Sequence, residues 1–423
     1  MPLSDLERRV LDAVDDARVG ADLTELVAIP SVDGSPEEIE VQAWCADRLS
    51  ALDLRVDHWL SDVRDLADDP AYPGMEVERD RVAGCVGTTE GHGQPALLLC
   101  GHVDVVPVGD LDLWPEAAPF TLRWADDAWW GRGACDMKGG VAAVIGAVAA
   151  IRAAGVRLAR PLAVHTVVGE EDGGVGAFAT LRRGHLGDAC VIAEPTAGTI
   201  VSANAGALTF SLTVTGVATH GSTRTRGVSA IEKFEPVHAA LRRLEAERNA
   251  DLPELFAHLD LGWPLSVGTV AAGDWASTVP DRLVATGRYG VMPGESVQLA
   301  KNAFVRAVAA ACAQDPWLRE HPAEVGWPGG MFSAGTLPEG HPLLEDTIGA
   351  VTETGTAAPA VRGGPYGSDL RHYASAGVAT LQYGPGDIRH AHAVDEHVPA
   401  ADVARCTRAY ALLALRRCGV VDC

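Results

Sequence analysis

The sequence predicts an α/β protein: a mixed, largely parallel sheet flanked by helices, interrupted by an inserted βαββαβ unit. Two textures carry this reading. Up to about Ala205, near-continuous apolar runs alternate with helical periodicity, and after it short segments alternate with period two. The run Pro95 to Val106 is broken only at Gly101, His102 and Asp104, as in a strand buried on both faces that delivers polar groups at its end. Similar runs occupy Pro161 to Val168 and Ala189 to Ala193. Between the first two, Val141, Val144, Ile145, Val148 and Ile151 recur at helical spacing, and Gly155 supplies a stop. Strand, helix and strand repeated in this way imply parallel pairing with helices on the faces.

In the inserted unit, "LTFSLTVTG" is a strand and "SAIEKFEPVHAALRRLEAERN" an amphipathic helix; "LSVGTVAAG" and "RLVATGRYGV" are strands, "GESVQLAKNAFVRAVAAACAQ" a second helix and "AEVGWPGGM" a last strand. From about Ser333 the chain returns to the first domain, with helices over Leu343 to Glu353 and Ala400 to Arg417 around the strand "VATLQYG". The expected division is therefore 1–205 and 333–423 for the larger domain and 206–332 for the insert. A chain of 423 residues also exceeds what one core usually supports.

A formal charge of −23 excludes nucleic acid and anionic membrane surfaces as partners, because a polyanion would be repelled. The N-terminal thirty residues, "MPLSDLERRVLDAVDDARVGADLTELVAIP", predict one charged amphipathic helix without the apolar centre of a signal peptide. No window approaches ~18 uninterrupted apolar residues, so the expectation is a cytoplasmic protein. The nine cysteines show no CxxC spacing and are expected as reduced thiols packed as small hydrophobes.

Five fragments carry the chemistry: "CGHVDVVP", "GRGACDMKGG", "VGEEDGG", "IAEP" and "HAVDE". Each sets a His, Asp or Glu beside a strand end or glycine-rich turn, which is how distant loops assemble one hard-metal site. His102 and Asp104 stand two apart, so both side chains point the same way and the carboxylate can orient the imidazole or share the site. Asp136 follows a glycine turn where a helix begins, which suits a helix cap as well as a ligand. Glu170 and Glu171 are neighbours on an extended segment and point oppositely, so one can face metal and the other substrate or water, although such pairs also occur on solvated surfaces. Glu194 ends another apolar strand, and His392 and Glu396 lie in a late loop between His390 and His397. Cys100 and Cys135 are read as packing residues beside oxygen and imidazole ligands.

In this order the fragments resemble the acetylornithine deacetylase, succinyl-diaminopimelate desuccinylase and aminoacylase group of dizinc metallopeptidases, from "LVAIPSV" to "AHAVDEHV". The resemblance implies a zinc-peptidase-like catalytic domain carrying a ferredoxin-like lid and dimerisation domain, and therefore a homodimer. It implies two Zn2+, with Co2+ or Mn2+ as substitutes: His102 and Glu194 on one, Glu171 and His392 on the other, and Asp136 bridging through a residue whose peptide bond to Met137 is cis. Asp104 would orient His102, Glu170 would be the general base, and His220 in "GVATHGS" would cross to the partner's site.

Two departures bear on the substrate. Where many relatives have Asn before "VVP", this chain has Ser277 in "STVP", and a shorter hydroxyl must reach substrate differently or through water. Where carboxypeptidase-like relatives carry an Arg three residues before "PGE", this chain has Gly290, leaving Arg288 and Arg371 as alternative carboxylate-binding groups. The expected activity is removal of an acetyl, formyl, succinyl or similar group from a small amine or amino-acid-like substrate, with a dipeptidase or carboxypeptidase as the alternative. A silent binder would have lost the base or a ligand, and a structural zinc protein would use closed, Cys-rich sites.

Overall fold

The computed structural model describes residues 3–421, and the chain divides into two compact units. The first runs through Ser202 and resumes over Thr336–Arg362 and from Asp369; the second comprises Ala203–Gly335 and Gly363–Ser368. The six residues 363–368 fall outside the expected insert but cluster with it. Their attachment is local: the Gly364 carbonyl accepts the Ala205 N–H (2.8 Å) and the Pro365 carbonyl accepts Arg288 (2.8 Å).

The sheet of the first unit has a parallel centre in the order Leu162–Val167, Leu97–His102, Ala189–Ile192, Ala379–Gln382. Antiparallel strands Arg81–Thr88 and then Arg55–Asp62 extend it beyond Leu162–Val167. Every residue of Leu97–His102 and Leu162–Val167 is buried, which is why these segments read as apolar runs instead of alternating. Helix Gly139–Ala153 lies against Leu97–His102 and packs on helices Asp16–Ala28 and Ala400–Cys418. Its close approach needs a glycine: a Cβ at Gly140 would stand 2.2 Å from the Ala193 carbonyl oxygen. By length and composition the helical stretch Ala134–Ala153 passes for a membrane span, although Asp136, Lys138 and Arg152 interrupt it, and 94% of the matching window is buried inside the unit. A helix enclosed by neighbours has no lipid-facing surface left, so its apolar character belongs to the core.

The N-terminal segment forms two helices where one was expected, Asp5–Asp12 and Asp16–Ala28. Ser4 and Glu7 form a reciprocal capping box on the first, and Asp15 starts the second by accepting the Arg18 N–H at 3.0 Å. A side chain that caps in mid-pattern ends one helix and begins the next even though the apolar periodicity continues.

The second unit contains, in chain order, strand Gly206–Thr215, helix Ala230–Arg248, strands Leu265–Ala272 and Arg282–Val291, helix Val297–Cys312 and strand Glu324–Gly326. The expected last strand is split, Met331–Phe332 forming a second short partner of Gly206–Thr215. The sheet order is Leu265–Ala272, Arg282–Val291, Gly206–Thr215, Glu324–Gly326, all antiparallel. Alternate residues of Gly206–Thr215 are buried, and Phe210 packs with Phe304 at 4.7 Å between ring centres.

Candidate functional site

The carboxyl ends of neighbouring parallel strands bring the first donors together. Leu97–His102 ends on His102, Ala189–Ile192 leads to Glu194, and the Ala193 N–H donates to the Cys100 carbonyl (2.9 Å), so sheet register sets this pair. The His102 Nδ1–H points at the Asp104 main-chain carbonyl (3.1 Å), closer than the Asp104 carboxylate at 3.6 Å. The expected carboxylate contact is therefore secondary. Asp104 instead uses Oδ2 to accept the Glu171 N–H (3.2 Å), linking the first fragment to the third.

With Nδ1 directed to that carbonyl, Nε2 of His102 faces Oδ1 of Asp136 at 3.0 Å. The other oxygen of Asp136 lies 3.5 Å from Nε2 of His392, so its two oxygens address two imidazoles. The bond from Asp136 to Met137 is cis. His392 also meets Oε1 of Glu171 at 3.0 Å. Glu170 and Glu171 diverge: donor atoms of His102, Glu170 and Glu194 lie within 4.8 Å of one another, and those of His102, Asp136 and Glu171 form a second such group. Oε1 of Glu170 is buried without a hydrogen-bond partner.

Electrostatics follow from crowding carboxylates away from water. Burial, then the charges of Glu194 and Asp369, push the Glu170 carboxyl well above its ordinary range, and burial with the charge of Asp136 raises Glu194 as well, against the pull of His102. Burial disfavours the imidazolium of His102, yet Asp104, Asp136 and Glu194 outweigh it and hold its pKa high. Burial likewise works against the Asp136 carboxylate, but the two imidazoles hold it low. Bonds to Asp136 and Glu171 raise His392 to about 10. This donor set fits divalent cations: imidazole nitrogens and carboxylate oxygens converge, one buried oxygen lacks a partner, and negative charge predominates.

The remaining sequence-derived residues fall elsewhere. His220 ends the short strand Thr219–His220 in the second unit, is exposed, and has Nδ1 2.8 Å from the Ser222 hydroxyl. Ser277 is exposed and its carbonyl accepts the Gly221 N–H (2.6 Å). Arg288 donates to the Pro365 carbonyl within the same unit. Arg371, expected to grip a substrate carboxylate, is 3% exposed in the first unit, donates to the Gly173 carbonyl (2.6 Å) and feels the charges of Asp369 and Glu170. Its guanidinium thus holds the turn after Glu170. His390 and His397 pack ring on ring at 4.2 Å, and His397 stacks on Trp130. Cys100 and Cys135 are buried with burial raising both thiols, and Cys100 accepts the Tyr373 hydroxyl. All eight cysteines among the described residues are unpaired.

Sequence reasoning passed over the supports of the site. Glu396 is 1% exposed: Oε1 accepts the N–H groups of Cys135 (3.0 Å) and Asp136 (3.1 Å), and Oε2 pairs with Arg132 at 2.6 Å. Arg79 pairs with Glu38 (3.1 Å) and Asp172 (2.9 Å) beside Asp33. Lys138, two residues beyond Asp136, donates to the Leu26 and Ile29 carbonyls at the end of helix Asp16–Ala28 (2.9 and 2.8 Å). The signal for Glu396 and Arg132 was their place inside the fragments that hold His392 and Asp136.

Comparison with known proteins agrees with this geometry. The chain is 28% identical over 389 residues to N-formyl-4-amino-5-aminomethyl-2-methylpyrimidine deformylase of Bacillus subtilis, covering 87% of each. It is 31% identical over 410 residues to succinyl-diaminopimelate desuccinylase of Xanthomonas oryzae pv. oryzae, covering 90% of this chain and 94% of that one. Its fold is similar to that of human carnosine dipeptidase 1, with a TM-score of 0.73 at 16% identity over 97% and 99% of the two chains. The profile described as peptidase family M20/M25/M40 matches residues 98–416, and the chain belongs to that family.

Proposed function

We propose that the protein is a dication-dependent amidohydrolase that removes a formyl, acetyl, succinyl or similar acyl group from a small amine or amino-acid-like substrate. The observation that carries the reading is the pairing of Asp136, whose two oxygens face two histidines, with Glu170, a buried carboxyl having one oxygen free of protein partners. His102, Asp136, Glu171, Glu194 and His392 would hold two Zn2+, with Co2+ or Mn2+ as substitutes. Bound there, such cations would polarise the amide carbonyl and lower the pKa of water. Glu170 takes the proton of the attacking water on Oε1 and returns it to the leaving nitrogen. The Asp104 carbonyl fixes the tautomer of His102, and the Asp104 carboxylate holds the backbone of Glu171. In a cytoplasmic homodimer built on the insert acting as a lid, His220 supplies an N–H donor to the developing oxyanion, about 3 kcal/mol for one donor.

An acyl-amine substrate is favoured over a dipeptide by Gly290. A Cβ there would stand 2.7 Å from the Trp263 backbone, so the carboxylate-binding Arg of carboxypeptidase-like relatives has no room. The deformylase and desuccinylase relatives point the same way. Zinc-reloaded protein assayed against N-formyl, N-acetyl and N-succinyl amines beside dipeptides tests this: acyl amines should turn over preferentially, and preference for dipeptides reverses the assignment.

A further inference from the structure

The proposed ligands are held in two different ways. His102 and Glu194 follow adjacent hydrogen-bonded strands, so the sheet itself sets their separation. His392 sits in a loop with φ 63, and its side chain is 52% exposed. Beside the Gly131 N–H bond to the Glu396 carbonyl, one buried ion pair ties that loop to Asp136. Glu396 accepts the N–H groups of Cys135 and Asp136 through Oε1 and pairs with Arg132 through Oε2. The Arg132 guanidinium in turn reaches the carbonyls of His392, Ala393 and Pro107, all at 3.4 Å. It lies 5.0 Å from the centre of the Trp114 ring, and neither member of the pair is more than 2% exposed. Arg132 and Glu396 therefore contact the backbone of both residues whose side chains meet across the outer half of the site.

We infer that the Arg132–Glu396 pair is a positioning brace: it fixes the separation of Asp136 and His392 and so sets the affinity of the outer cation position, served by Glu171 and His392. The inner position, served by His102 and Glu194, is held chiefly by the sheet and feels the brace only through Asp136, so it responds less. The inference rests on the ligand assignment proposed above and adds residues that touch neither cation nor substrate.

The test is stepwise Zn2+ titration of the full-length, chelator-stripped protein, with zinc stoichiometry by elemental analysis and melting of the metal-free form recorded in parallel. Glu396→Gln keeps an oxygen for the two N–H groups but loses the carboxylate that pairs with Arg132; Arg132→Met removes the other partner. In both, the second binding step should weaken by about 10- to 100-fold while the first weakens at least about tenfold less. Removing one member leaves a buried charge unpaired, so Arg132→Met/Glu396→Leu, which removes both at similar volume, is made alongside. This double variant should fold and show the same selective loss. Weakening of both steps equally, or of neither, in folded protein overturns the brace. Wild-type protein that binds no zinc would instead overturn the functional reading, and wild-type and variants that all bind two ions alike would overturn the brace alone.

Discussion

Replacing Glu170 by Gln separates base from ligand. The side chain keeps its size, and Oε1 gives up no protein hydrogen bond because it has none. One negative charge disappears from beside Glu194 and Asp369, the groups that together with burial raise the Glu170 carboxyl. The metal-free protein should therefore melt no lower than wild type. A missing proton acceptor costs 10²- to 10⁴-fold in kcat, about 3 to 5 kcal/mol of barrier at ~1.36 kcal/mol per decade. The competing role is concrete, since donor atoms of Glu170, His102 and Glu194 lie within 4.8 Å of one another. Steady-state hydrolysis of an N-formyl amine, zinc content and thermal melting on one preparation decide between them. Zinc retained with kcat down by two decades or more supports the base. Activity within tenfold of wild type refutes it, and a zinc content that falls with activity makes Glu170 a ligand.

Three other outcomes follow from the same geometry. Gly290→Arg should lower the melting temperature by the equivalent of about 1–3 kcal/mol through overpacking against Trp263 and should confer no dipeptidase activity; a stable variant that cleaves dipeptides would contradict the crowding argument. Zinc should raise the melting temperature, by about 2.7 kcal/mol equivalent at 100 times Kd, and melting indifferent to added zinc would contradict a folded-state cation site. His165 is buried with Nδ1 2.9 Å from the Tyr373 hydroxyl, and burial lowers its pKa to about 3 from 6.5. The unfolded chain then binds the extra proton, so the contribution of neutral His165 is intact above pH 6.5 and lost as pH falls toward 3. Denaturant unfolding of His165→Gln against wild type should show a shallower acid loss, by up to about 1.4 kcal/mol per pH unit; parallel profiles would exclude it.

The donors were legible in the sequence because each stands where local pattern changes. His102 and Glu194 terminate apolar strands, Asp136 follows a glycine turn, and Glu171 precedes one. Helix Leu343–Glu353 and the βαββαβ order were legible for the same reason, being periodicities that a single window contains. Strands Arg55–Asp62 and Arg81–Thr88 were not. The first is a mostly polar edge strand, "RVDHWLSD", and the second is built of small residues; their pairing is long-range and leaves no local period. The burial of Arg371 was not legible, because it involves the turn at Gly173, almost two hundred residues away in sequence. Glu396 stood in the fragment but its role did not show, since the sequence does not say that a loop glutamate will be enclosed by Arg132 and two backbone N–H groups.

Charge explains why these overlooked residues matter. Besides Asp22, which pairs with Arg18 and Arg48, ten carboxyl groups of the first unit (Asp33, Glu38, Asp104, Asp136, Glu170, Glu171, Asp172, Glu194, Asp369 and Glu396) have side chains or residues no more than 9% exposed. Three guanidiniums are placed among them, and each is already engaged. Arg79 serves Glu38 and Asp172 beside Asp33, Arg132 serves Glu396, and Arg371 lies in the field of Asp369. Asp104, Asp136, Glu170, Glu171 and Glu194 are left with two imidazoles, His102 and His392. Five buried acids facing two bases are costly in a medium that solvates ions poorly, and burial with mutual repulsion accordingly raises Glu170, Glu171 and Glu194. The arginines therefore neutralise the carboxyls that brace the loops and leave the surplus where the donor atoms converge. Divalent cations can balance a surplus so placed; another arginine inserted there would occupy the space the substrate amide needs.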